Sequence, residues 1–398
     1  MDSAKRIIVV VALGFWSAAF TLGALRVILP VYFASVGVSV SKIALLFFFF
    51  KLSEVFAPIG VGLITNRLGY RWSFIGSLTL HSLISWLYIL KPTFAVVYLE
   101  RFVRGLIGMP LQSAVYVKHF SAKENQRFHI NMLLGLRDAS KGIGMFVGGV
   151  LIAALSFEYS VAFLGFLTGG ATLVALLCLP DLKEEVRIRV FGVWGTVEKK
   201  MKTLGLARGF LHGAMEAWGT VILPVYLTVV FGLSPAVVGT VMMAEYIFHG
   251  LSTALISRVI RPARDSRRAL VGCALLLFPI CIFLSLGMSV YFFLFLVFLY
   301  QFFDGAYGVY SNHLKLEFAT DEKTSIDLAT YETISNSFKP IGVFVSGLLV
   351  DAMGYGWAFY FSSLLVLLSA LTCLALPKPA IQSLGVVRPY GKESLALE

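Results

Sequence analysis

Runs of about 20 apolar residues follow one another along almost the whole chain, and no other feature limits the fold as strongly. An α-helix of this length rises far enough to cross a hydrocarbon core of roughly 30 Å. A transmembrane β-barrel would need segments of about ten residues with alternating polarity, whereas these runs are longer and unbroken. We therefore predict an all-α integral membrane protein with twelve transmembrane helices, at residues 7–34, 41–64, 73–91, 94–116, 128–153, 159–180, 206–231, 236–257, 269–287, 290–313, 327–351 and 356–376.

The basic residues are distributed unequally between the two sides of these spans. Of 33 lysines and arginines, eight lie within spans, Lys42 and Lys91 lie on one side, and 23 lie on the other, which the positive-inside rule assigns to the cytoplasm. We expect both termini to be cytoplasmic, in a multi-pass monomer of the cell membrane that contacts membrane lipids. The net charge of +11 is interpreted as this topology signal, and no nucleic-acid partner is expected.

The four cysteines lie inside predicted spans and lack the spacing of metal ligands, which favours free thiols at Cys178, Cys273, Cys281 and Cys373. The sequence indicates no metal and no other cofactor.

The chain is duplicated. The sequence ILPVY begins at Ile28 and again at Ile222, and KGIGMFVGGVL from Lys141 returns as KPIGVFVSGLL from Lys339 with seven identities in eleven positions. The offsets of 194 and 198 residues are close to half the chain, so the twelve spans form two parallel six-helix repeats. The predicted organisation is a bundle at 1–180, a cytoplasmic linker at 181–205, a second bundle at 206–377 and a cytoplasmic tail at 378–398.

Two motifs resemble those of the major facilitator superfamily of transporters. GLITNRLGYR, after the second span, is similar to its loop signature G-x-L-x-D-R-x-G-R-R, and LERFVRGLIG is similar to its fourth-helix motif R-x-x-Q-G. The resemblance covers the whole length and implies two pseudo-symmetric six-helix bundles, the major facilitator fold, with secondary transport by alternating access. It also implies a gating loop formed by Gly62, Asn66, Arg67, Gly69 and Arg71, in which Asn66 replaces the usual acid.

Many charged residues lie within the spans, where each costs about 2.5–3.5 kcal/mol at mid-membrane. In the fifth span, the free-energy gain of inserting the apolar residues into the membrane only about offsets the cost of inserting Arg137, Asp138 and Lys141. These charges are therefore expected to face protein or an aqueous cavity. Arg208 is assigned to the edge of its span. Without Arg208, the spans of the first half carry six cations and three acids and those of the second half one cation and four acids, which predicts a dipolar cavity. Some of the charges are expected to be structural ion pairs between helices.

Helical geometry places some of these charges on one face. Lys141 lies about 40° round the fifth helix from Arg137, and Gly144 and Gly148 lie within about 20° of Arg137. Small residues on this face allow a neighbouring helix to approach closely. The candidate substrate-binding residues are Arg26, Arg101, Arg104, Arg137, Lys141, Gln301, Glu332, Asn336 and Lys339, and the candidate proton-coupling acids are Glu54, Asp138, Glu216, Glu245 and Asp304.

The function that best unites these features is a proton-coupled secondary active transporter for a small organic anion or zwitterion. A proton-antiport pump for drugs or other amphiphiles is the alternative, and a lipid transporter or scramblase is a further one. No nucleophile with a base and no phosphate-binding loop stands out in the sequence, so an enzyme is not expected. Substrate identity, the direction of transport and the choice between protons and sodium remain open at this point.

Overall fold

The structure is a computed structural model that describes residues 3–91, 93–107, 110–182, 197–259, 266–319 and 324–377. The predicted tail and residues 183–196 of the predicted linker lie outside this set. Every regular element among the described residues is helical, which confirms the predicted all-α class.

Thirteen α-helices occupy the described residues, and a 3₁₀ turn at Tyr88–Leu90 follows the second of them. Their bounds are α1 Ser3–Ser35, α2 Val40–Leu87, α3 Phe94–Leu106, α4 Pro110–Phe120, α5 Gln126–Ala154, α6 Phe157–Cys178, α7 Lys199–Gly219, α8 Ile222–Val229, α9 Pro235–Val259, α10 Ser266–Leu284, α11 Val290–Phe318, α12 Thr324–Met353 and α13 Tyr355–Leu374.

These helices map onto the twelve predicted spans with three local differences. The second and third spans run together as α2, which is interrupted at Gly69, where φ is +78° and ψ is 167°. Glycine adopts this conformation without a steric penalty, so the chain can turn there between two spans. The fourth span is divided into α3 and α4, and the seventh into α7 and α8.

Seven helical segments of the described residues are long and apolar enough to cross a membrane by length and composition alone. They are Ala4–Ser35, Arg67–Leu90, Phe157–Cys178, Ser266–Leu284, Val290–Phe318, Asp327–Met353 and Tyr355–Leu374. The other five predicted spans include the two divided ones and the fifth, whose three charges lower its hydropathy. These spans depend on neighbouring helices to shield their polar groups.

The two halves, α1–α6 and α7–α13, pack in the same way. In the first half α1 packs on α5 and α6, and in the second α7 packs on α12 and α13. The contact of α2 with α3 is likewise repeated by α9 with α11. In both contacts a serine faces a glycine, Ser53 against Gly105 and Ser252 against Gly305. The duplication seen in the sequence is therefore a duplication of helix packing.

The halves meet through α5 against α9 and α2 against α12. We call the end of the bundle that carries Ser35 and Val40 the distal end, and the end that carries Ser3 and Gly69 the basic end. At the distal side Gly149 of α5 and Gly239 of α9 are so close that a Cβ on either would overlap the other helix. The Asp351 carboxylate of α12 also accepts hydrogen bonds from the Val40 and Ser41 amides at 3.0 and 2.9 Å. These contacts join the halves at the distal end.

Candidate functional site

A cavity of about 550 Å³ lies between the halves, with walls from α1, α2, α3, α5 and α12. Its lining extends from the middle of the bundle towards the basic end, to Phe15 on α1 and Val61 on α2. The charged lining residues are Lys51, Glu54, Arg104, Arg137, Lys141 and Lys339. Five cations and one acid therefore face the same space, which favours a negatively charged ligand.

Close packing at two glycines positions the repeated lysines. Gly144 of α5 lies against the backbone carbonyl of Phe20 in α1, and Gly342 of α12 lies against that of Gly213 in α7. A side chain at either glycine would overlap the neighbouring backbone, so both helices can only approach this closely because glycine is present. Lys141 and Lys339 each precede one of these glycines by three residues, and both line the cavity.

Lys51 connects the two halves at the side of the cavity. Its Nζ lies 3.2 Å from Glu54 in the same helix and 3.0 Å from Glu216 of α7. The Thr220 hydroxyl also donates a hydrogen bond to Glu216. The side chains of Lys51 and Glu216 are only 14% and 10% exposed, so water screens this pair weakly.

A second polar contact between the halves involves Arg26 of α1. Its Nη1 donates to the Tyr246 hydroxyl of α9 at 2.7 Å, and its guanidinium carbon lies 5.6 Å from the centre of that ring. In the same half as Tyr246, the Gln301 amide donates to the Glu245 carboxylate. Arg26 is thus held in the interface between α1 and α9.

A buried ion pair supports the cavity wall in the first half. Arg104 Nε lies 2.6 Å from Glu100, and both side chains are almost completely buried. The Tyr88 hydroxyl donates to the same carboxylate, while Arg104 Nη1 lies 3.3 Å from His81 Nδ1. Arg101 is stacked against two rings, with its guanidinium carbon 4.7 Å from Phe47 and 4.6 Å from Phe50.

The second half has its own buried ion pair. Arg208 Nη1 lies 3.0 Å from Asp304 Oδ1, and His249 Nδ1 lies 3.5 Å from Asp304 Oδ2. The sequence placed Arg208 at the edge of its span, and its depth in the membrane stays a prediction. Because α7 already begins at Lys199, Arg208 is more than two turns inside the helix and its side chain is only 12% exposed.

The structure brings six of the predicted site residues together in the cavity lining: Glu54, Arg104, Arg137, Lys141, Asn336 and Lys339. The other predicted substrate-binding residues are not among the described residues that line the cavity. Arg26 and Gln301 are in the contacts given above, Arg101 is between two phenylalanine rings, and Glu332 is paired with Lys315 at 3.0 Å.

The remaining predicted acids are also outside the described lining. Asp138 is paired with its neighbour Arg137 at 2.8 Å, and Glu216, Glu245 and Asp304 each contact a residue named above. The second-half acids therefore do not form one wall of a dipolar cavity as expected. Two of them lie against cations instead, Glu216 against Lys51 and Asp304 against Arg208, because helix packing brings those opposite charges together.

Eleven lining residues were absent from the predicted site, and the aromatic or charged ones and the histidine among them are Phe15, Phe50, Lys51 and His81. The sequence does contain an indication for Lys51. It precedes the predicted site residue Glu54 by three residues, and residues at this spacing share a helix face. The two phenylalanines lie in aromatic stretches whose other members include residues packed on neighbouring helices, such as Phe48 on Phe344 and Trp16 on Leu133, so the sequence does not distinguish them.

The predicted gating loop contacts the end of α6. Arg71 Nη2 donates to the Leu176 carbonyl at 3.0 Å, and the Tyr70 amide donates to the Leu182 carbonyl at 3.5 Å. Gly69 forms the turn and Arg67 is exposed, while the surroundings of Gly62 and the side chain of Asn66 lie outside the described part of the structure. These contacts attach the loop to its own half.

Within the described residues, no group of three or more His, Cys, Asp or Glu side chains is arranged to hold a metal ion. The four cysteines are free thiols.

The two repeats also match a known family in sequence. Residues 11–192 and 206–389 match the sequence profile of the Major Facilitator Superfamily. The chain belongs to the major facilitator superfamily. It is therefore a multi-pass membrane transporter and not an enzyme, and its fold consists of two pseudo-symmetric six-helix bundles, as predicted.

Solved structures of other superfamily transporters share this fold. The nucleoside transporter NupG is 13% identical, with a TM-score of 0.75 over 94% of this chain and 100% of that chain. The human organic anion transporter MFSD10 is 16% identical, with a TM-score of 0.65 over 94% of this chain and 100% of that chain. A bacterial homologue of the human lysosomal transporter Spinster, in an inward-facing and unoccupied conformation, is 13% identical. Its TM-score is 0.72 over 94% of this chain and 97% of that chain. None of the curated protein sequences matches the chain at a significant level. At these identities the likeness is one of fold.

Proposed function

We propose that this protein is a proton-coupled secondary transporter that moves a small organic anion or zwitterion across the membrane by alternating access. The observation that carries the proposal is the cavity lining, in which Lys51, Arg104, Arg137, Lys141 and Lys339 face a single acid, Glu54. Charged side chains that are shielded from bulk water are stabilised by a ligand of opposite charge. The same lining disfavours a cationic drug as the cargo.

Glu54 is the proposed proton-coupling group. Its carboxylate forms an ion pair with Lys51 and is close enough to Lys141 and Lys339 for their charges to interact. While it is ionised, Glu54 competes with an anionic substrate for these lysines. A proton on Glu54 removes that competition, so proton binding and anion binding favour each other.

The conformation fits one step of alternating access. The contacts between halves described above lie from the middle of the bundle to the distal end, and the cavity extends towards the basic end. We assign the basic end to the cytoplasm on the positive-inside rule, which makes this an inward-facing state with both termini cytoplasmic. We further propose that the protein acts as a monomer in the cell membrane, in contact with lipids.

The test is anion-driven proton flux in proteoliposomes that contain a trapped pH-sensitive dye. Addition of an anion from a panel of carboxylates, amino acids and phosphomonoesters should acidify vesicles containing the wild-type protein. Glu54→Gln should abolish this proton flux and retain exchange of the same anion, because the lysines remain available. Glu158→Gln, at a surface ion pair with Lys91, removes an acid remote from the cavity and should leave proton flux unchanged.

Two results would contradict the proposal. Wild-type protein that moves no anion of the panel but moves amphipathic cationic dyes would favour a drug efflux pump. Proton flux that persists in Glu54→Gln at the wild-type rate would remove Glu54 from the coupling mechanism.

A further inference from the structure

Two of the cavity lysines are related by the internal repeat. Lys141 on α5 and Lys339 on α12 are the first residues of the two copies of the eleven-residue segment, and both line the cavity. One belongs to the first half and the other to the second. The glycine contacts of α5 with α1 and of α12 with α7 place them in equivalent positions in their halves.

These two lysines differ from the other cations of the lining. Lys51 is paired with Glu54 and Glu216, Arg104 with Glu100, and Arg137 with Asp138. Neither Lys141 nor Lys339 has an ion pair within the described part of the chain. The one acid of the lining, Glu54, lies near both but is already in contact with Lys51.

We propose that the substrate carries two negative charges and that Lys141 and Lys339 bind them, one lysine from each half. The inference rests on the proposed function, since it specifies the anion that the transporter carries. Isolated charges away from bulk water are costly unless a partner of opposite charge is present. A monoanion would leave one of the two ammonium groups without a partner, whereas a dicarboxylate or a phosphomonoester would match both.

The rest of the lining suits a small dianion with a short carbon skeleton. Ala18, Ala19 and Leu22 of α1 contribute an apolar wall, and Asn336, three residues before Lys339, contributes an amide. A substrate that contacts a lysine on each half also links the two bodies that must move relative to each other. Substrate binding and closure of the cavity are then coupled through the same two charges.

The test compares butyrate, succinate and glycerol 3-phosphate as ligands of the purified full-length protein, by calorimetry at one pH and one ionic strength. Wild-type protein should bind succinate or glycerol 3-phosphate at least tenfold more tightly than butyrate. Lys141→Met and Lys339→Met should each weaken binding of that dianion at least tenfold and change butyrate binding less than threefold. Whichever dianion binds more tightly identifies the charged group as a carboxylate pair or a phosphate.

Controls separate charge from folding. Lys141→Arg and Lys339→Arg keep the charge and should keep the preference for the dianion, and the thermal midpoint of each methionine variant should match the wild type. Lys91→Met, at an exposed site of the distal surface, should change no affinity.

Equal wild-type affinities for butyrate and for both dianions would overturn this inference and leave anion transport in place. An equal loss of butyrate and dianion binding in the methionine variants would also overturn it. If proteoliposomes that contain the wild-type protein transport no anion of the panel, the proposed function itself is refuted. The failure of this inference and the failure of the proposed function are therefore distinguishable.

Discussion

Asp351 holds the distal end of the two halves together by capping a helix of the opposite half. Ser39, at the N-cap position of α2, makes no side-chain capping bond. The Asp351 carboxylate of α12 accepts hydrogen bonds from the first amides of α2, those of Val40 and Ser41. These amides have no partner within their own helix, and the helix dipole further favours a negative charge there. Opening of the distal end must break this cap.

We predict that Asp351→Ala shifts the protein towards a distal-open state. Removal of an N-cap side chain costs about 0.5–2 kcal/mol, and a charge at the helix dipole contributes about 0.3–1 kcal/mol. Since Asp351 is solvent-exposed, we expect a combined effect of about 1–2 kcal/mol, which is roughly a 5- to 30-fold change in the equilibrium. A distal-open population of about 5% would rise to about 20–60%.

The assay is a distance measurement between spin labels at Leu90→Cys and Leu286→Cys, in a background in which the four native cysteines are replaced. Both sites are exposed at the distal end, Leu90 in the 3₁₀ turn of the first half and Leu286 between α10 and α11 of the second. The distance distribution should gain a longer component in Asp351→Ala. Lys91→Ala, which breaks an exposed ion pair with Glu158 inside the first half, is the matched control and should leave the distribution unchanged. An unchanged distribution in Asp351→Ala, or the same change in the control, would refute the reasoning.

Two further predictions concern packing and buried charge, and thermal unfolding in detergent measures both. Gly144→Ala should lower the free energy of unfolding by about 1–3 kcal/mol because the new Cβ would overlap the Phe20 carbonyl. Gly135→Ala, in the same helix with open space around it, should be neutral or stabilising. Equal destabilisation by the two substitutions would contradict this prediction. Glu100→Gln should cost about 3–5 kcal/mol because it leaves the buried Arg104 guanidinium without its counter-charge, and an unaltered midpoint would show that the pair contributes little.

The helical architecture was accessible from the sequence because it depends on local patterns. Span length, the positive-inside bias and the offset between repeats are properties of consecutive residues, and they predicted the two bundles without tertiary information. The breaks between α3 and α4 and between α7 and α8 were missed because hydropathy averages over a window and does not register a local change of backbone direction.

The candidate site was accessible only in part. Arg137, Lys141 and Lys339 could be placed in a cavity because a charge in the middle of an apolar span must face protein or water. The same reasoning did not separate Lys141 from Arg101, which has equally apolar neighbours in sequence but is stacked on two phenylalanine rings. It also did not predict that Arg208 is buried beside Asp304.

The sequence by itself determined a duplicated, twelve-span membrane protein with an excess of cations within its spans. Composition, periodicity and internal repetition depend only on the order of residues and not on tertiary contacts. Only the tertiary structure decided which cations have a partner. Lys51 with Glu216, Arg208 with Asp304, and Asp351 with the start of α2 are contacts between residues about 100 to 310 positions apart. Such contacts depend on how helices pack and rotate against one another, and this is a property of the assembled bundle rather than of any one span. Lys141 and Lys339 stand out as the candidate substrate ligands because each of the other lining cations has an acid as its partner.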